Sequence, residues 1–380
     1  MSTYRFSFPT IIHFGAGVRS KLSAALKDQG LQRPLLVTDK GVAALPMHKE
    51  LMDQMSAAGL KPASFSGIWG NPVKSQVTAG VAAYKEHKSD CIVGLGGGAA
   101  LDVAKAIALM VNHPGDLFDY EDDKPGALPV NKEIPYWVAL PTTSGTGSEV
   151  GRSAVVSDDV THIKKIIFDP KLLAKAVFAD PELTFDLPAK ITAAVGMDAL
   201  THCVEAYLAK GFHPMCDGIA LEGIRLAAGS LVKTVKNPRD LQARSDMMMA
   251  SMMGAVAFQK GLGVTHSCAH ALGTVMDMHH GLANGIMIDH ALKYNVSAVP
   301  ERFKNMCMTI GLKDWSGESF IRWLEDLKVQ LGIPKKLAEV GVKKEHFDRL
   351  VKVAIEDVCH PNNPRVCTVD TFKTIFTEAI

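Results

Sequence analysis

The chain has 380 residues, 47% hydrophobic and 21% charged, with 41 Lys and Arg against 40 Asp and Glu. This is long enough for two domains and a substantial core, and the near-zero charge argues against nucleic acid or an anionic membrane as partner. The N-terminus MSTYRFSFPT has no apolar signal core, no apolar run approaches the roughly 20 residues that span a bilayer, and the seven cysteines are scattered without a CxxC pair. Reduced thiols in a cytoplasm are therefore expected, rather than a disulfide framework or a thiolate zinc site.

In chain order, GAG at 15–17 reads as a simple turn. Strands are expected in RPLLVTD (33–39), SDCIVGLGGG (89–98) and PYWVALPTT (135–143), each ending in residues suited to ligand-binding loops. Helices are expected at 73–88 and 100–113, so the first half reads as parallel α/β. Residues 115–133 are polar and turn-rich and read as an excursion, and 163–183 as two more short strands around a turn. From about residue 185 helical patterns dominate, starting with Asp186 as N-cap and Pro188 in the first turn. The predicted domains are 1–184, α/β, and 185–380, helical, and no internal repeat is visible.

GLGGGAALDVAKAIA follows an apolar strand and opens a helix, whose N-terminus offers unpaired N–H groups to a phosphate. Gly96, Gly97 and Gly98 let the backbone approach a ligand, and Gly94, Gly96 and Ala99 fit G-x-G-x-x-A. The match comes late in the sheet, and no acidic residue ends a strand about 20 residues on. Asp39 instead ends an earlier strand, where a carboxylate would bind an adenosine ribose and repel a 2′-phosphate, or serve as a turn or cap. PTTSGTGSE (141–149) is a second hydroxyl-rich loop after a strand.

The stretch GLGVTHSCAHALGTVMDMHHGLANG (261–285) carries His266, His270, His279 and His280, and His266 and His270 share one face of a helix. Upstream, Asp198 and His202 are likewise four apart in GMDALTHCVEAY. An Asp and several imidazoles suit a divalent metal with mixed oxygen and nitrogen ligands. Spacing alone leaves Asp198, His202, His266, His270 and His280 competing for about four places. Glu205, seven past Asp198, is a further ligand or plain helix surface. His279 reads as a neighbour, Cys203 and Cys268 as small core residues, and the methionines at 247–249, 252 and 253 as core filling.

Together GGGAALDVAK, LPTTSGTGSEV, GMDALTHCVEAY, GLGVTHSCAHALG, HHGLANG and NPRVCTVDTFKTIF resemble the iron-containing (group III) alcohol dehydrogenase family, in its order from residue 39 to the C-terminus. The resemblance implies an N-terminal dinucleotide-binding α/β domain and an all-α C-terminal domain, a dehydroquinate synthase-like architecture with the metal in the cleft. It implies Asp198, His202, His266 and His280 as ligands and His270 as a proton-relay residue near the nicotinamide. The cofactor positions it implies are Asp39, Asn71, Gly97, Gly98, Ala99, Thr142, Thr143 and Lys164, with NAD favoured over NADP by Asp39. It favours Fe(II), with Zn(II) fitting as well, a small alcohol or aldehyde as substrate, and homodimers or larger assemblies.

Two departures stand out. Ala99 replaces the family's usual Ser after GGG, which removes a hydroxyl but leaves the backbone N–H groups. The run FQKGLGVTH (258–266) is one residue shorter than in propanediol- and lactaldehyde-type members and carries Lys260, so their substrates do not carry over. If Lys260 and Arg152 both face the site, the substrate carries an acidic group. The competing functions are a non-haem iron oxygenase, a dehydroquinate-synthase-like lyase and a non-catalytic binding module.

Overall fold

The structure, a computed structural model, describes residues 6–122 and 124–380. The chain divides into two compact units: Pro9–Thr143 with Ser148–Phe185, and Asp186–Ile380 with Ser144–Gly147 and the N-terminal segment.

The α/β unit contains, in order, β1 (Ile11–Phe14), α1 (Leu22–Asp28), β2 (Pro34–Asp39), α2 (Lys40–Ala43), α3 (Pro46–Ala57), β3 (Ala63–Ile68), α4 (Lys74–His87), β4 (Cys91–Gly96), α5 (Gly98–Asn112), β5 (Tyr136–Pro141), β6 (Ser153–Ser157), β7 (Lys164–Phe168) and β8 (Ala176–Ala179). Six strands form one sheet in the order β1-β8-β5-β4-β2-β3, and every pairing in it is parallel. Every residue of the central strand β4 is buried, as a continuous apolar run requires when helices cover both faces. On one face Leu36, Val93, Leu140 and Phe178 meet Leu22, Leu26, Leu51 and Met55 of α1 and α3. On the other, Gly94 lets Leu101 and Ala104 of α5 come close. Residues 163–183 do hold two strands, but they part company: β7 forms an antiparallel hairpin with β6, while β8 enters the main sheet between β1 and β5.

The second unit is helical: α6 (Ala189–Leu208), α7 (Pro214–Lys236), α8 (Leu241–Ala257), α9 (Val264–Met276), α10 (His280–Lys293), α11 (Pro300–Thr309), α12 (Gly317–Leu331), α13 (Phe347–Ile355) and α14 (Val369–Ala379). Nothing from Thr192 to Leu208 is exposed, so α6 is a core helix enclosed on all sides. Its neighbours approach through glycines. A Cβ on Gly254 of α8 would sit 2.9 Å from His202 Cβ, and one on Gly281 of α10 would sit 2.5 Å from the Ala194 carbonyl oxygen. Asp186 does not cap α6, which begins after Pro188 without a side-chain cap. The Asp186 carboxylate instead accepts from Arg239 at 3.0 Å. The methionines Met247, Met248 and Met252 lie in the core, and among the described residues no helix is long and apolar enough to cross a membrane.

Candidate metal centre and nucleotide loops

Three helices of the second unit bring four side chains together. Asp198 and His202 stand one turn apart on α6, and His266 lies in the first turn of α9. Asp277, left-handed at φ 49°, ends α9, and His279 caps α10 by accepting from the Leu282 N–H at 3.4 Å. This tight connection makes His280 the first residue of α10 and returns it to the cluster. One donor atom from each of Asp198, His202, His266 and His280 lies within 4.8 Å of the other three. Asp198 Oδ1 is 3.9 Å from Nε2 of His202 and of His266, and 3.4 Å from His280 Nε2.

Buried neighbours hold these groups. Glu205 is 2% exposed and accepts from the backbone N–H groups of Gly263, Thr265 and His266 at 2.9, 2.6 and 3.2 Å. Asn363 takes the remaining first-turn N–H, that of Val264, at 3.3 Å. Glu205 therefore caps α9 from another helix, where a carboxylate complements the helix dipole. It also accepts from His266 Nδ1 at 2.8 Å, which leaves Nε2 as the lone-pair nitrogen. His266 Nε2 is buried without a hydrogen-bond partner among the described residues. A buried nitrogen costs free energy unless something binds it, and a cation at the cluster would do so. Asn284, one turn after His280, donates to Asp198 Oδ1 at 2.7 Å and lies 3.2 Å from His280 Nε2.

Burial pushes the Asp198 carboxyl up, but the three imidazoles outweigh it and hold it at about 2. Burial lowers His202 to about 4, so its ring is neutral near neutral pH. Burial also opposes charge on His266, but Glu205 outweighs it and raises the imidazole's basicity, as expected of a carboxylate behind a ligating histidine. Burial pushes the Cys203 thiol up to about 12 and the Cys268 thiol well above its ordinary value. The donors that fit a cation are thus three nitrogens and one carboxylate, a set suited to a divalent first-row metal.

The fifth candidate stands apart. The ring of His270 stacks on that of His280 with centroids 5.2 Å apart, and its Nδ1 pairs with Asp357 Oδ2 at 2.7 Å. Glu205 orients a cluster histidine and does not join the cluster. Lys260 cannot anchor an acidic substrate: its ammonium is buried against Asp217 Oδ1 at 2.5 Å and the Tyr207 carbonyl at 3.0 Å. Arg152 lies over the Phe168 ring at 5.4 Å.

In the α/β unit, the ends of β2, β4 and β5 carry Asp39, Gly97, Gly98, Ala99, Thr142 and Thr143. Gly97 is the N-cap of α5 and supplies no side-chain cap, so the first-turn N–H groups at Gly98 and Ala99 face outward from the helix start. Gly96 has φ 150°, and a Cβ there would meet Ala100 Cβ at 2.6 Å. Thr142 N–H donates to the Gly96 carbonyl at 3.0 Å, and Thr143 packs on Gly97. Asp39 serves as a cap: its Oδ1 accepts from the Val42 N–H at 2.9 Å, while Oδ2 lies on the side of Gly96. Asn71 lies exposed in the turn after β3, and Lys164 opens β7. Lys105, fully buried, joins α5 to the following loop through Asp102, Ser148 and the Ser153 carbonyl at 3.4, 2.7 and 2.7 Å.

Residues 9–181 match the family described as iron-containing alcohol dehydrogenase, and residues 192–380 match the C-terminal part of the Fe-containing alcohol dehydrogenase family. The chain belongs to the iron-containing alcohol dehydrogenase family. It is 37% identical to the 4-hydroxybutyrate dehydrogenase of Cupriavidus necator, covering 98% of each chain. It is also 37% identical to the NAD-dependent methanol dehydrogenase of Bacillus methanolicus, covering 99% of each. Its fold superposes on a crystal structure of 1,3-propanediol oxidoreductase with TM-score 0.95 and 34% identity over the whole of both chains. The chain is thus a metal-dependent, NAD-linked alcohol dehydrogenase with the two-part α/β and helical fold of this family.

Three residues that bear on this dehydrogenase's centre escaped the sequence reading: Asn284, Asp357 and Asn363. Asn284 had a signal, since it is four residues after His280 on one helix face. Asp357 had none, because 87 residues separate it from His270.

Proposed function

We propose that Asp198, His202, His266 and His280 hold a divalent metal, Fe(II) with Zn(II) as an alternative, and that this centre serves reversible oxidation of a small primary or secondary alcohol. The observation that carries this is four donor atoms within 4.8 Å of one another, one of them His266 Nε2, which has no hydrogen-bond partner among the described residues. When bound, the cation lowers the pKa of an alcohol and the nicotinamide accepts its hydride. Glu205 keeps the His266 ring turned with Nε2 toward the cluster, and Asn284 fixes the Asp198 carboxylate. His270 takes the proton released from the alcohol and passes it to solvent. On the nucleotide side, the start of α5 at Gly97, Gly98 and Ala99 binds the pyrophosphate, with Thr142, Thr143, Asn71 and Lys164 completing the NAD site. Asp39 Oδ2 accepts from the adenosine ribose and disfavours a 2′-phosphate. We assign NAD to residues 1–184 and the metal to 185–380, in a cytoplasmic homo-oligomer.

The test is a panel of small alcohols and aldehydes followed by NADH absorbance, using enzyme reconstituted with Fe(II) or with Zn(II). Metal-dependent turnover of neutral short-chain substrates is expected, and no turnover with either metal ends the proposal. A second reading, an acidic semialdehyde or hydroxy acid as substrate, is favoured by the likeness to a 4-hydroxybutyrate dehydrogenase. The pairing of Lys260 with Asp217 weighs against it. A clear kcat/KM preference for a semialdehyde acid over a neutral aldehyde of equal length would establish it.

A further inference from the structure

Asp357 follows α13 and faces α9, the helix that carries His266 and His270. Its two carboxylate oxygens have different company. Oδ1 accepts from the Ser267 hydroxyl at 2.7 Å and from the Cys359 backbone N–H at 2.9 Å. Oδ2 pairs with His270 Nδ1 at 2.7 Å. Ser267 is itself fixed, since its Oγ accepts from the His360 N–H at 3.0 Å. With two donors on Oδ1, the carboxylate is held as an ionised acceptor, and an ionised carboxylate facing Nδ1 at 2.7 Å places the ring proton on Nδ1.

We propose that Asp357 is a positioning residue that locks His270 in the Nδ1–H tautomer and so keeps the Nε2 lone pair as the proton acceptor of the dehydrogenase reaction. The role rests on the assignment of His270 made above. With NAD bound, the alcohol C–H bond would break as hydride passes to the nicotinamide, the O–H proton would move to His270 Nε2, and the imidazolium would return it to solvent. Only the Nδ1–H tautomer has a lone pair at Nε2 to receive that proton. The stacking of His270 on His280 restrains the ring plane, and the Asp357 bond restrains rotation within it. Cys359 Sγ lies within 4.8 Å of the same His270 and Asp357 donor atoms.

The arrangement makes Asp357→Asn a tautomer switch. The two donors at Oδ1 hold the amide oxygen on their side, which turns the NH2 toward His270. Nδ1 must then accept, and the proton moves to Nε2. The experiment uses the zinc-loaded enzyme, comparing wild type, His270→Ala, Asp357→Asn and Ser267→Ala. Metal content, NADH affinity, kcat and alcohol KM are measured, together with the ring-nitrogen 15N shifts of His270. Asp357→Asn is expected to keep its metal, hold KM within about twofold, lower kcat about a hundredfold and move the proton to Nε2. Ser267→Ala removes one of the two donors at Oδ1 and is expected to lower kcat about three- to tenfold at constant KM. It carries the test if Asp357→Asn does not fold. A kcat for Asp357→Asn within about threefold of wild type, a loss that tracks lost metal, or an unchanged tautomer overturns the role. A wild type inactive with NAD and metal, or a fully active His270→Ala, overturns the underlying assignment instead.

Discussion

In the α/β unit the predicted pyrophosphate site is backbone, the glycines and the open start of α5, with Thr142 and Thr143 beside it and one carboxylate already half used as a cap. In the helical unit the candidate centre is all side chain. There a second buried residue orients each of two cluster members, Glu205 behind His266 and Asn284 behind Asp198. The backbone surface depends on the path of the chain and tolerates a changed side chain that leaves the path alone. The side-chain cluster depends on atoms that no neighbour can replace, so it is sensitive to single substitutions in both its donors and their supports.

Four substitutions probe that contrast. The largest effect belongs to Asp198→Ala, which removes the only carboxylate of the cluster; bound metal and turnover should both vanish while NADH binding persists, as metal analysis and cofactor fluorescence would show. Retained metal would mean that the cluster is not the binding site. Next, Glu205→Gln keeps the shape but weakens the acceptor behind His266, and a metal-affinity loss of roughly 10–100-fold is expected in a competitive chelator titration. On the backbone side, Gly96→Ala meets both a φ of 150° and the Ala100 Cβ at 2.6 Å. The displaced turn should raise KM for NAD by about tenfold with metal content intact. Smallest of all, Ala99→Ser restores a hydroxyl where only N–H groups are needed, and KM for NAD should change by less than about threefold. A large gain would show that side chains do matter in that loop.

A pH experiment sharpens the comparison from the α/β side. Glu149 is 2% exposed, and one of its oxygens has no hydrogen-bond partner among the described residues. Burial pushes its carboxyl up to about 7, against a partial pull from Lys105. The folded chain therefore holds a proton there that the unfolded chain releases near its ordinary value of 4.5. Stability from this group is full below that value and is lost as pH rises to about 7. Thermal unfolding of Glu149→Gln across this window should show a flatter pH dependence, with midpoints differing from wild type by a few degrees at the alkaline end. Equal slopes in the two proteins would rule the protonated carboxyl out.

Legibility in the sequence followed the range of the interaction. The strands β2, β4 and β5 showed as apolar runs ending in Asp, Gly or Thr, and α4 and α5 as periodic stretches, because burial on a parallel sheet writes itself into neighbouring residues. Short or half-exposed strands did not show: β1 has only four residues, and β3 reads ASFSGI with one buried position. Nor did the separation of β7 from β8, since both look alike locally and only pairing partners distinguish them. Asp186 looked like a cap by composition, but Pro188 sets the start of α6, and the carboxylate found Arg239 instead.

The residues themselves pointed to a divalent metal and a phosphate-binding loop, because Asp198 with His202 and His266 with His270 sit at helical spacing and the glycine loop opens a helix, local arrangements that any right-handed helix enforces; the resemblance of the motifs supplied the reaction class. Spacing left open which histidine stands apart, which the motif resemblance supplied; tertiary structure alone decided what Glu205 and Lys260 do. It also brought Asp357 to His270 from 87 residues away, and set Asn284, in register with His280, against Asp198 on another helix. Hydrogen bonds between distant segments depend on how helices cross, and helix crossings depend on summed packing that no short stretch of chain encodes.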